Sequence, residues 1–124
     1  MEDRTESNAA ARYSGSEISR ERILDLAPEE PCFDFSGQWM DNGYYQWQSG
    51  EIHLEFHHGP LRGLSPERGL DITLEDDEEG RRLEYFYHDW QWQDAGEDPF
   101  EYGVIRDEDH LKRLFGRMYG PWRG

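Results

Sequence analysis

Between Glu51 and His57 polar and apolar side chains alternate without a break. Ile52, Leu54 and Phe56 fall on one side of a two-residue period, and His53, Glu55 and His57 on the other. That period is the mark of a strand with one buried face. Leu70–Glu75 repeats it, with Leu70, Ile72 and Leu74 facing in. Leu83–Trp92 is the longest run of strand-favouring aromatic residues and reads as the central strand. Leu83, Tyr85 and Tyr87 share one of its faces, and Phe86, Trp90 and Trp92 the other. A strand that is aromatic on both sides is either covered twice or keeps one face for contact. Phe33–Met40 predicts a first strand, Tyr44–Gln48 a second, and Tyr102–Ile105 a short sixth.

The turns between these runs fix the expected register. Asp41-Asn42-Gly43 is a hairpin signal. A two-residue Asn-Gly turn pairs Trp39 with Gln46. A three-residue loop, with Gly43 left-handed, pairs Trp39 with Tyr45 and Gly37 with Trp47. The second gathers the large rings on one face and is preferred. A Ser49-Gly50 turn then pairs Trp47 with Ile52 and Tyr45 with Leu54. Trp39, Tyr45, Trp47, Ile52, Leu54 and Leu74 are thus expected on one buried face. His58–Gly69, with three glycines and two prolines, reads as a loop. Closing a hairpin over Asp77–Gly80 pairs Leu74 with Leu83, Ile72 with Tyr85 and Leu70 with Tyr87. It also opposes Asp76 to Arg81 and Glu75 to Arg82, both favourable cross-strand pairs.

Helical periodicity appears at the two ends. Ser14-Gly15-Ser16-Glu17 has the spacing of a capping box ahead of a short helix over Ser16–Leu26, which Pro28 and Pro31 stop. Asp107 suits an N-cap, and Leu111, Leu114, Phe115 and Met118 form an apolar stripe at i, i+3, i+4, i+7. The sum is an α+β fold: an antiparallel meander of five to six strands, a C-terminal helix packed on one face, and a short N-terminal helix. Residues 1–15 read as a disordered tail before a single domain over 16–124.

Composition changes the picture in two ways. Aromatic residues make up 15% of the 124, so a few rings supply much of the buried area despite an apolar fraction of 35%. The formal net charge is −15, which repels DNA, RNA and anionic membranes and attracts basic protein surfaces. A high-GC genome's preference for arginine also explains Lys112 as the one lysine, and a high-salt habitat an acidic, lysine-poor surface. No apolar run spans a bilayer, and the start carries no signal-peptide pattern. Cys32 is alone and reads as a small buried hydrophobe in a reducing, cytoplasmic setting.

Three sets of residues carry candidate chemistry. His53, Glu55 and His57 point the same way, with His58 and His88 near them, and offer metal-ligand types. On a straight strand, however, i and i+4 side chains lie about 13 Å apart, so no metal and no cofactor is expected. The second set is acidic: Asp71, Glu75, Asp76, Asp77, Glu78 and Glu79 on one hairpin, and Asp94, Glu97, Asp98 and Glu101 beyond the next strand. Clustered carboxylates imitate phosphates or fill a basic cleft, and otherwise form a solvated edge that resists aggregation. The third set is Phe86, Trp90 and Trp92, with Tyr44 beside them, as interface anchors. Phosphate loops, paired cysteines and nucleophile elbows are absent from the sequence.

The expectation is a non-catalytic, acidic module that inhibits or masks a basic, nucleic-acid-handling protein such as a nuclease. Immunity proteins, phage-encoded inhibitors and nucleic-acid mimics share its size and acidity. Asp76, Asp77, Glu78, Glu79, Asp94, Glu97, Asp98, Phe86, Trp90 and Trp92 are its expected contact residues. The alternative is a small-molecule or metal-binding barrel-like protein, or an enzyme, built on His53, Glu55, His57 and His88.

Overall fold

The computed structural model describes residues 14–120. Its centre is the pairing of β5 (Ser65–Asp77) with β6 (Gly80–Asp89). Leu74 lies opposite Leu83, Ile72 opposite Tyr85, Leu70 opposite Tyr87, and Asp76 opposite Arg81, the register the turn chemistry predicts. Glu78 and Glu79 alone remain as the turn, and Gly80 supplies a positive φ of 113°. On the other side of β5 runs β4 (His53–Arg62), and beyond β6 runs β7 (Phe100–Val104). A two-residue β1 (Phe33–Asp34) adds to β4, giving an antiparallel order β1-β4-β5-β6-β7. No helix among the described residues is long and apolar enough to cross a membrane.

One face of this sheet is the core. Ile52, Leu54, Phe56, Leu70, Ile72, Leu74, Leu83, Tyr85 and Tyr87 are buried there. A short helix, α1 (Arg20–Leu26), and the C-terminal helix, α3 (Glu108–Met118), cover them. Asp107 caps α3 by accepting from the backbone N–H of His110 at 2.7 Å. The predicted stripe Leu111, Leu114, Phe115 and Met118 is its buried side. The helix thus earns its place by tertiary packing of an amphipathic face rather than by intrinsic propensity. Arg22 of α1 and Glu108 of α3 form a two-pronged pair at 2.8 and 3.0 Å.

Several expectations are corrected. The first strand is broken: the Asp34 carboxylate accepts from the Ser36 N–H, and Gly37 takes φ +70°, so the chain turns away after Asp34. Trp39–Asp41 (β2) and Gln46–Gln48 (β3) then form a separate two-stranded sheet. In it Trp39 faces Gln48, Met40 faces Trp47 and Asp41 faces Gln46, which is neither predicted register. Asn42 explains this. Its side-chain oxygen accepts from the N–H groups of both Tyr44 and Tyr45, which draws four residues into the loop. Trp39, Tyr45 and Trp47 are consequently exposed and do not join Ile52, Leu54 and Leu74 in the core.

His58–Gly69 is strand for most of its length, with Gly63-Leu64 as a two-residue turn between Arg62 and Ser65. Gly63, first in the turn with φ +70°, meets the requirement of a type II′ hairpin. The register shifts between His58 and Leu61, around Gly59-Pro60. Pro60 therefore sits in an irregularity on a stretch that β1 does not reach, where its missing N–H costs no ladder bond. The aromatic strand ends earlier than predicted, because Asp89 caps a short helix, α2 (Trp90–Asp94), through the Gln91 N–H. The N-terminal helix starts from a Ser19 cap, and the proposed capping box is instead a single tight turn at Ser14–Glu17. Cys32 is exposed rather than buried, since it lies before the short edge strand β1. The tail expected over residues 1–15 lies outside the described residues except for Ser14 and Gly15, and Gly15 is buried against the Ile105 carbonyl.

Candidate functional site

Both α1 and α3 lie on the core side, so among the described residues neither long helical element covers the second face of the five-stranded sheet, and only Trp90 of the short helix α2 reaches its edge. The registers arrange its side chains in three rows. His57, Gly69, His88 and Phe100 form one row. Phe33, Glu55, Asp71, Phe86 and Tyr102 form the middle row. His53, Thr73, Glu84 and Val104 form the third. Carboxylates and imidazoles thus occupy the middle, and aromatic rings stand on both flanks. On the β1 side Phe33 stacks on Phe35 at 5.6 Å, and Phe35 leans on His53 at 5.2 Å. On the β7 side Phe100 packs against Phe86 at 5.6 Å and Trp90 at 5.4 Å. A groove of about 390 Å³ runs between His53, Asp71, Thr73, Phe86, Tyr102 and Val104.

Asp71 is the electrostatic centre. Burial, with the neighbouring Glu55 charge, pushes its carboxyl up to about 6. Glu55 is flanked by His53 at 3.7 Å and His57 at 3.8 Å, one imidazole at each of its oxygens. Those two histidines therefore diverge around a carboxylate instead of converging on a point. Among the described residues no three His, Cys, Asp or Glu side chains are placed to share a metal ion. His88 lies across Gly69, where an added Cβ would come within 2.4 Å of the ring, and its Nε2 is 2.9 Å from the Pro66 carbonyl. His58 is drawn away from the set and packs its ring on Tyr119 at 4.8 Å.

The predicted aromatic set is divided. Phe86 is on the open face and 40% exposed. Trp90 joins that side by packing on His88 at 5.2 Å, and its indole N–H donates to the Ser65 hydroxyl at 2.9 Å. Trp92 does not share their face. The helical turn rotates it onto the core side, against Tyr87 at 5.4 Å and beneath the Arg117 guanidinium at 5.3 Å. Tyr44 is 91% exposed at the tip of the β2–β3 hairpin and is not beside Phe86.

The acidic sets are divided too. At the β5–β6 tip, two Arg82 hydrogen bonds at 2.7 and 2.9 Å hold the Asp77 carboxyl down at about 2. Arg81 is shared between Glu51 and Asp76. Glu78 and Glu79 project into solvent. Asp94 is paired with Arg62 at 2.9 Å, whereas Glu97 and Asp98 are exposed in the following loop. Sequence reasoning missed Phe33, Phe100 and Tyr102 as site residues and did not single out Asp71 from its hairpin. A signal existed for Asp71: it is the one outward carboxylate between Leu70 and Ile72, opposite Phe86 in the predicted register.

Behind the open face lies a buried polar network. Arg68 and Asp89, each about 3% exposed, form a pair at 3.1 Å across β5 and β6. The Arg68 guanidinium also donates to the carbonyls of Arg117, Met118 and Gly120 at 3.1, 2.9 and 2.8 Å. It thereby satisfies the C-terminal end of α3, where orphan carbonyls and the helix dipole both favour a cation. Asp89 fixes α2 in turn, so one ion pair positions both helices that flank the end of β6. Compared with protein-family models, with curated proteins and with solved structures, the chain matches none.

Proposed function

We propose that the chain is a non-catalytic binding module that masks a basic, nucleic-acid-handling protein of the cytoplasm, using the open sheet face and its acidic margins. One observation carries this reading: a sheet face that α1 and α3 leave uncovered, with carboxylates at its middle and aromatic rings on both flanks. Such a face supplies large rigid contact area together with a negative potential, the two components of an anchored and steered interface. The net charge of −15 extends that potential and disfavours nucleic acid itself as the ligand. A small acidic inhibitor, whether of the immunity-protein type or a phosphate mimic, fits this balance.

The alternative, a metal or small-molecule site on His53, Glu55, His57 and His88, has less support. His53 and His57 splay to opposite oxygens of Glu55, and His88 is turned to the Pro66 carbonyl. The test is to capture partners on the tagged chain, identify the basic protein retained, and follow its association at rising salt. The expected result is an on-rate that falls steeply with ionic strength and release of nucleic acid from the partner on binding. A captured partner that is not basic, or association indifferent to salt, overturns the reading.

A further inference from the structure

We propose that the centre of the open face is the seat for one arginine side chain of the basic partner, its guanidinium lying in the groove beside Asp71, next to Glu55, and against the ring of Phe86. The inference rests on the masking function proposed above and names the group that the face recognises.

The distribution of internal cations points to this seat. Among the described residues, arginines serve carboxylates outside the middle row: Arg20 holds Asp34, Arg22 holds Glu108, Arg62 holds Glu67 and Asp94, Arg82 holds Asp77 and Glu84, and Arg117 holds Glu101. None of them reaches the middle row. Asp71 is held only by burial and by repulsion from Glu55, with no hydrogen bond or ion pair to any described residue. A half-buried carboxylate beside a second one, with no cation, is costly in the free protein and is relieved by an incoming positive group.

Geometry favours arginine over lysine. Directly opposite residues on neighbouring antiparallel strands have Cβ atoms about 5 Å apart. Glu55 and Asp71 stand so, and Phe86 and Tyr102 continue the same row. A planar fork can bond two carboxylates at its edge and lay its face on an aromatic ring, which a compact ammonium cannot do. The groove is also open at the surface, so a side chain enters it from a partner without unfolding anything.

Binding should also be linked to protons. The charged and titratable groups around Asp71 are Glu55, His53 and His57 from β4, Glu84 and His88 from β6 and Tyr102 from β7, while on its own strand Gly69 and Thr73 are its nearest neighbours on that face and Glu75 lies beyond Thr73. A guanidinium favours ionised Asp71, so it expels the proton that Asp71 retains near pH 6. Affinity therefore rises with pH through that value.

The experiment is an NMR titration of the full chain with acetyl-Gly-Arg-Gly-amide and with the same peptide carrying citrulline, a neutral isostere. The expected result is weak binding of the arginine peptide, with shifts centred on Asp71, Thr73, Phe86 and Tyr102, and about tenfold weaker binding of the citrulline peptide. Asp71→Asn should weaken the arginine peptide by a similar factor while its melting temperature stays at or above that of the parent. Phe86→Leu removes the stacking ring and should weaken the peptide without touching the charge. Equal binding of the two peptides, or shifts centred on Glu78 and Glu79, overturns the seat. Dimerisation through this face overturns it as well, by placing a second copy there. If the captured basic partner binds in a salt-dependent way but ignores Asp71→Asn, the seat falls and the masking function stands. If that partner's association ignores salt, the masking function falls whatever the peptide does.

Discussion

Asp71 costs the fold stability, and the cost has a pH signature. Its folded-state carboxyl sits at about 6, above the ordinary 3.8, so the folded state binds the extra proton between those values. Stability from this residue is therefore lost as pH rises from about 4 to 6. Asp71→Asn should be more stable than the parent at pH 7, by of order 2 kcal/mol after allowance for solvent screening, with the gap closing near pH 4. Urea denaturation of both chains at several pH values checks this, and a gap independent of pH would refute it. Two glycines give a contrasting pair. A Cβ at Gly15 would meet the Ile105 carbonyl oxygen at 1.8 Å, whereas one at Gly69 would meet only the movable ring of His88. Gly15→Ala should cost about 3 kcal/mol or more, and Gly69→Ala about 1, much of it the lost bond from His88 to Pro66. The open side of Asp71 was legible from alternation and from the hairpin closing over Asp77–Gly80. Its burial was not, because that depends on how β4 pairs across the supposed loop of residues 58–69.

Elements were legible where local and cross-strand signals agreed. The β5–β6 hairpin had both: acidic residues opposed to Arg81 and Arg82, and Leu74 opposed to Leu83 with Ile72 and Leu70 opposed to Tyr85 and Tyr87. The α3 helix had both a cap and a stripe. Failures came where a side chain competes with the ladder. Asn42 closes its own loop, Asp34 turns the first strand, and Asp89 stops the aromatic strand. Asp89 also illustrates a long-range cause, since its partner Arg68 comes from the segment read as loop. Removing one member of that buried pair should be severe. Asp89→Asn or Arg68→Met should destabilise by about 3–5 kcal/mol, while an apolar double replacement should recover much of it. Denaturant midpoints of the three variants decide the point. Trp92→Ala should likewise lower stability, because its ring lies on Tyr87, whereas Trp90→Ala should act more on binding.

At the scale of the whole molecule, charge and shape are separable. The tip carboxylates Glu78 and Glu79 are exposed and pair with no cation among the described residues, but Asp77 is tied to Arg82. Reversing only Glu78 and Glu79 to lysine should slow association with the basic partner and leave the melting temperature nearly unchanged. Reversing Asp77 as well would also disrupt Arg82, so it is a poor test of steering. The β2–β3 hairpin shows another division. It forms its own sheet, and near its base the Gly37 N–H donates to the Gly50 carbonyl and the Gln38 N–H to the Ser49 hydroxyl. Its strands contribute nothing to the ladder of the five-stranded sheet, so they can open without disturbing that ladder. In hydrogen–deuterium exchange, amides of Trp39–Gln48 should exchange at a rate set by this local opening and insensitive to Asp89→Asn. Amides of β5 should track global unfolding, so their protection should fall in that variant. A chain built this way can lose, lengthen or replace its aromatic hairpin while the remainder keeps its stability, and a cut or an inserted tag at Gly43 should be tolerated.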